Sequence, residues 1–214
     1  MNRLLTVLLL FLCGVARAAV PAAPGPEIVA GQNDAAWRPL FAALAGQGAV
    51  YSTFAENRWF NVRKTPVVLR GEMRHTAELG LSLRYTEPKE QLMVVDEKGL
   101  LLRDEKGRTR KMAADPKAPR MDTALLPVLR FDLPELLALF TLHAARDGED
   151  WRLDLVPRTP ELARSLSVVV VEGAGQAVRR LEFRRSAKQR VEVLIEETKT
   201  GVTFSEDEVK RFFR

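Results

Sequence analysis

The 214-residue chain has two histidines, His75 and His143. Imidazoles are the usual general bases near neutral pH and the commonest zinc ligands. These two are far apart and not at metal-ligand spacing, so each reads as a lone strand or surface histidine. G-x-S-x-G, H-E-x-x-H and the P-loop are all missing from the sequence. Asp96, Glu97, Asp104 and Glu105 fall in turns beside Lys98 and Lys106, where water rather than a paired carboxyl is their partner. The single cysteine, Cys13, lies in the apolar amino-terminal stretch. The sequence therefore offers no catalytic residue, no metal ligand set and no cofactor motif. A hydrolase reading would have to rest on His75 or His143.

What does recur at a useful spacing is the large aliphatic side chain. In LRYTEPKEQLMVVDEKGLLLRDEKGRTRKM, Leu83 to Met112, aliphatics alternate with charges between short turns. Every second residue of a strand points to the same face, so this pattern lays an apolar surface along one side of an antiparallel sheet. Such a surface can be half of a filled core or the wall of a cavity. Periodicity alone does not separate the two.

The elements that position this surface follow from the pattern. Met1 to Ala18 reads as a secretory signal: Arg3, an apolar run from Leu4 to Leu12, then Ala16-Arg17-Ala18 as a cleavage site. That run is too short for a membrane-spanning helix, and bulky Leu12 before Cys13 argues against lipidation. Cleavage after Ala18 removes Cys13 and leaves no thiol. It also lowers the formal charge from +5 to +3, by taking two of the 33 Lys+Arg against 28 Asp+Glu. That mild, dispersed excess does not suggest a nucleic-acid protein. Residues 19–32, with three prolines and two glycines, read as a flexible leader. Residues 33–214 read as one domain.

Asp34 to Ala45 has helical spacing, with Asp34 as cap. Strands are expected from Val50, Val67, Leu79, Leu92, Leu100 and Thr109. A proline-rich interruption from Asp115 to Arg130 leads into a short helix, Phe131 to Phe140, capped by Asp132. Strands resume at Trp151, Val168, Leu181 and Val191, with one helical turn at Thr159-Pro160-Glu161. Ser205-Glu206-Asp207-Glu208 has capping-box spacing and opens a last helix. The total is about ten strands, an α+β fold that is mainly antiparallel β.

This order resembles the periplasmic outer-membrane lipoprotein carriers, the LolA family. The matching residues are Phe54-x-Glu56, Tyr85-x-x-Pro88, Leu92-x-Val94, Asp96, the Lys98-Gly99 turn, Leu101, Asp104 and Trp151-x-Leu153-x-Leu155-x-Pro157. The resemblance implies a strongly curved, incompletely closed barrel with a helical lid and a concave face that holds acyl chains. It further implies lipoprotein or glycolipid cargo, an inner-membrane donor, an outer-membrane acceptor and a monomeric carrier. Related members of the fold act as envelope sensors, which leaves a protein-binding adaptor as the alternative. The family's lid-latching arginine before a proline has no counterpart in His75-Thr76-Ala77-Glu78-Leu79-Gly80, which suggests a divergent paralogue.

On this reading the lipid-facing residues are Leu69, Met73, Leu81, Leu83, Tyr85, Leu92, Val94, Leu100, Leu153, Leu155, Val168, Val170, Leu181, Phe183, Val193 and Ile195. Leu136, Leu137, Leu139 and Phe140 form the lid. The basic run from Arg179 to Arg185 reads either as the charged outer face of a strand or as a docking patch for anionic headgroups.

Overall fold

The structure, a computed structural model, describes residues 23–113 and 125–214. The signal reading at 1–18 and much of the proline-rich interruption lie outside the described residues. Eleven strands form a single sheet: β1 Val50–Trp59, β2 Val67–Thr76, β3 Gly80–Glu87, β4 Gln91–Asp96, β5 Gly99–Asp104, β6 Thr109–Ala113, β7 Phe140–Asp147, β8 Asp150–Pro157, β9 Val168–Ala174, β10 Ala177–Ser186 and β11 Gln189–Thr200. Their spatial order is β6-β5-β4-β3-β2-β1-β11-β10-β9-β8-β7, with every neighbouring pair antiparallel. β6 and β7 remain as two edges, so the sheet curls without closing into a barrel.

β7 is the strand that the sequence reading lacks. Its inward positions are Phe140, Leu142 and Ala144, and their apolar signal fades into the small alanine. Its register with β8 is regular from Phe140↔Pro157 to Asp147↔Asp150. Phe140 therefore starts a strand instead of ending a helix.

The folded unit also begins earlier than residue 33. Ile28 is buried, its N–H donates to the Leu142 carbonyl at 2.7 Å, and Glu27 bridges His143. This short stretch covers the β7 edge, which would otherwise present unpaired backbone groups. Gly25 is required there, because a Cβ would stand 1.8 Å from the Ala144 carbonyl oxygen.

Among the described residues five α-helices accompany the sheet: α1 Arg38–Ala45, α2 Leu125–Arg130, α3 Leu133–Leu139, α4 Pro160–Ala163 and α5 Glu206–Phe212. Asp132 caps α3, accepting from the Glu135 N–H at 3.0 Å. The Ser205–Glu208 capping box opens α5. Asp34, expected to cap α1, instead opens a 3₁₀ turn and accepts from the Gly31 N–H and the Arg38 guanidinium.

The two faces of the sheet are covered differently. The concave face and α1 to α4 enclose one large apolar cluster, from Phe41 and Phe54 through Leu83 to Trp151 and Leu153. On the convex face α5 buries a smaller cluster of Leu92, Val94, Leu101, Phe212 and Phe213. Arg74 lies beneath α5 on that face, its guanidinium 3.9 Å from the Phe212 ring centre. Farther along, the convex face carries ions: Arg152 binds Asp154 and Glu172, and Arg180 binds Glu172, Glu182 and Glu192.

Candidate functional site

A cavity of about 630 Å³ opens at one end of the concave face, within the range of small-molecule pockets. Its floor is the start of β1 (Val50, Ser52), the end of β2 (Met73, His75, Thr76), Val178 and Leu181 of β10, and Ile195 and Thr198 of β11. Its roof is the end of α1 with Leu44 and the α2–α3 joint with Leu129, Arg130, Phe131 and Asp132. The room exists because small side chains occupy inward positions here. Ser52 stands in line with Phe54, and its hydroxyl is satisfied by the Thr198 hydroxyl at 3.0 Å.

Phe131 shapes the roof. Its φ of 51° lies in the left-handed region, which costs a bulky side chain about 1–3 kcal/mol. Burial of the ring against Phe41, 6.5 Å between centres, offsets that cost.

His75 is the polar feature of the wall. It is 8% exposed and its Nε2 has no hydrogen-bond partner. Burial, helped by the nearby Arg130 cation, pushes its pKa down from 6.5 to about 4. The imidazole is therefore neutral at physiological pH and adds no charge of its own to the cavity wall. Arg130 reaches from the roof to Glu97 in the β4–β5 turn at 3.2 Å. The roof-to-barrel ion pair thus has its arginine on the roof. Glu97 is 83% exposed, so the pair is a weak tie. Glu78, which stands where the carrier family's latch is expected, lines the cavity instead.

A family model described as outer membrane lipoprotein carrier protein LolA-like matches residues 30–203. The chain belongs to that family. Among solved structures, this LolA-like chain is similar to a putative outer membrane lipoprotein-sorting protein domain from Vibrio parahaemolyticus, at 11% identity over 82% of this chain and 94% of that one, TM-score 0.44. It is similar to a chain of the Pseudomonas aeruginosa MucA/MucB complex at 18% identity over 81% and 59%, TM-score 0.45. A LolA superfamily protein from Nitrosomonas europaea aligns at 7% identity over 80% and 96%, TM-score 0.44. A search of curated proteins gives no match.

Of the residues expected to face lipid in this LolA-like fold, Met73, Leu181 and Ile195 line the cavity. Leu69, Leu81, Leu83, Tyr85, Leu100, Leu153, Leu155, Phe183 and Val193 join the same concave cluster but pack against one another, away from the cavity wall. Leu92, Val94, Val168 and Val170 are not brought to that face. Leu92 and Val94 pack under α5, while Val168 and Val170 pair across from Arg184 and Glu182 on the convex side. The cause is local: LMVV and VVVV are continuous apolar runs, so alternation does not reveal which members point inward. Met93, Val95, Val169 and Val171 are the inward ones. Leu136, Leu137, Leu139 and Phe140 all pack into the concave cluster, and the cavity roof is the α2–α3 joint before them.

The sequence reading misses a polar plug at the opposite end. The Tyr85 hydroxyl donates to Glu56 at 2.8 Å, and Arg58 donates to the Tyr85 oxygen at 3.2 Å while also binding Glu56. Burial first, and then the Glu56 carboxylate, push the phenol well above its ordinary pKa, so it stays a neutral donor. The Tyr85 ring meets Phe54 edge-on at 5.6 Å. Phe54, Glu56 and Tyr85 are all legible as family-like positions, but their meeting across three strands is not. Among the described residues no group of histidines, cysteines and carboxylates could hold a metal ion.

Proposed function

We propose that this chain is a periplasmic carrier that shelters an acyl chain of a lipoprotein or another lipophilic cargo on its way to the outer membrane. The observation that carries this reading is the largely apolar cavity beneath the α1 and α2–α3 roof of a LolA-like sheet. Each methylene removed from water is worth about 0.8 kcal/mol, so a long chain gains enough from such a wall to travel through an aqueous compartment. No covalent step is needed. Release requires that the roof lift and that an acceptor bind the cargo more tightly. Met73, Leu181 and Ile195 are the proposed floor contacts, with Leu44, Leu129 and Phe131 above them. An inner-membrane donor and an outer-membrane acceptor complete the route, with the carrier acting as a monomer.

The test is mass spectrometry of lipids extracted from protein exported by cells expressing the full chain and purified without harsh detergent. The expected result is a defined acyl species near one per protein. Leu181→Trp, which fills the cavity, should empty the protein without unfolding it. A second reading, a non-catalytic adaptor for a protein partner, is favoured by the tight packing of the rest of the concave face. Lipid-free protein in a stoichiometric complex with an envelope protein would select it.

A further inference from the structure

The end of the sheet away from the cavity carries a different surface. The β1–β2 loop, residues 60–66, reads FNVRKTP, and the β10–β11 turn, residues 185–190, reads RSAKQR. Register places them side by side, because Trp59 pairs with Arg190 and the two hairpins turn back together. Together they hold five cations, Arg63, Lys64, Arg185, Lys188 and Arg190, and no carboxylate. Phe60 is 41% exposed and Val62 94% exposed at the loop tip. Arg190 lies 4.4 Å over the Trp59 ring, which stiffens the base of the loop.

The basic run read from the sequence resolves into two kinds of arginine. Arg179, Arg180 and Arg184 are committed to Asp150, Glu172, Glu182 and Glu192. Arg63, Lys64, Arg185 and Lys188 have no carboxylate partner among the described residues. The nearby acids Glu87 and Glu90 are engaged by Arg70 and Arg84. An uncompensated cationic patch around two protruding apolar side chains matches an anionic bilayer surface in both charge and depth.

We propose that the 60–66 loop and the 185–190 turn dock this protein on anionic lipid headgroups, with Phe60 and Val62 entering the interface. The inference stands on this surface alone and does not depend on what the cavity holds. Each Lys or Arg near such a surface contributes about fivefold in binding.

The experiment is flotation of exported, processed protein with vesicles of phosphatidylcholine alone or of equimolar phosphatidylglycerol and phosphatidylcholine. Binding is expected only with phosphatidylglycerol, weakening as salt rises. Arg63→Glu with Lys64→Glu should weaken it by about 25-fold or more, and Val62→Ser should weaken it with the charge cluster intact. Arg110→Glu with Lys111→Glu makes the same change in net charge on the distant β6 edge and should leave binding unchanged. Circular dichroism checks that each variant folds. Equal losses from both charge-reversed pairs would reduce the effect to net charge and overturn the proposal. Absence of phosphatidylglycerol binding by the parent would overturn it as well.

Discussion

Where β1 begins, the concave face keeps about 630 Å³ of open space; where β1 finishes, the same face is packed shut. Both ends use the same alternating strands. At the open end the inward residues include Ser52 and Thr198, and the roof is a joint between two short helices. At the closed end Phe54, Tyr85, Leu155 and Phe183 fill the space, and Glu56 with Arg58 satisfies the one buried phenol. Side-chain volume at equivalent positions thus separates a cavity from a core. A curved sheet supplies both from one pattern.

The sharpest way to break this comparison is truncation at each end. Leu153→Ala, in the packed half, should cost about 2–5 kcal/mol in urea unfolding. Ile195→Ala, half-buried on the cavity wall, already borders empty space and should cost about 2 kcal/mol or less, at the low end of that range. Equal costs would show that the open end is packed like the core.

Acid probes the open end next. The unfolded His75 takes a proton near pH 6.5 and the folded one only near 4. Between those values the unfolded state binds more protons, so stability falls as pH drops through that window and is flat above it. The loss is about 3 kcal/mol in full. His75→Leu should remove this acid sensitivity, to be followed by thermal unfolding across pH 4 to 7. An unchanged pH profile would place the imidazole in contact with water.

At the closed end, Tyr85→Phe leaves Glu56 short of one donor and should cost about 1–3 kcal/mol, without changing bound lipid. Loss of lipid in this variant would mean that the cargo site reaches the plug. On the convex face, Ser205→Ala removes the α5 cap and should cost about 1 kcal/mol in chemical denaturation. Smallest of all, Glu97→Ala releases Arg130 from the barrel. Its stability effect should stay below about 1 kcal/mol, while exchange of a fluorescent fatty acid becomes faster. An unaltered exchange rate would show that this ion pair does not hold the roof.

Much of this was legible residue by residue. Where charges interrupt the aliphatics, as in β2, β3, β8 and β10, the inward set was readable, because one misplaced step would put an arginine or a glutamate into the apolar concave cluster. In LMVV and VVVV it was not, since either face accepts valine. The α5 capping box was readable, but its resting place was not, and that place buries Leu92 and Val94 from the outside. His75 was visible as a lone histidine. Its silence toward protons comes from neighbours far away in sequence.

The sequence by itself determined every described strand but β7, the turns between them and most of the apolar faces, because these depend on contacts within a few residues. Tertiary structure alone decided where the cavity lies. Its walls come mostly from loops and element ends, residues 44–49, 76–79, 129–132, 176–178 and 202–204, which carry no period to read. Empty space is a property of what fails to meet across the fold, and no local pattern encodes it.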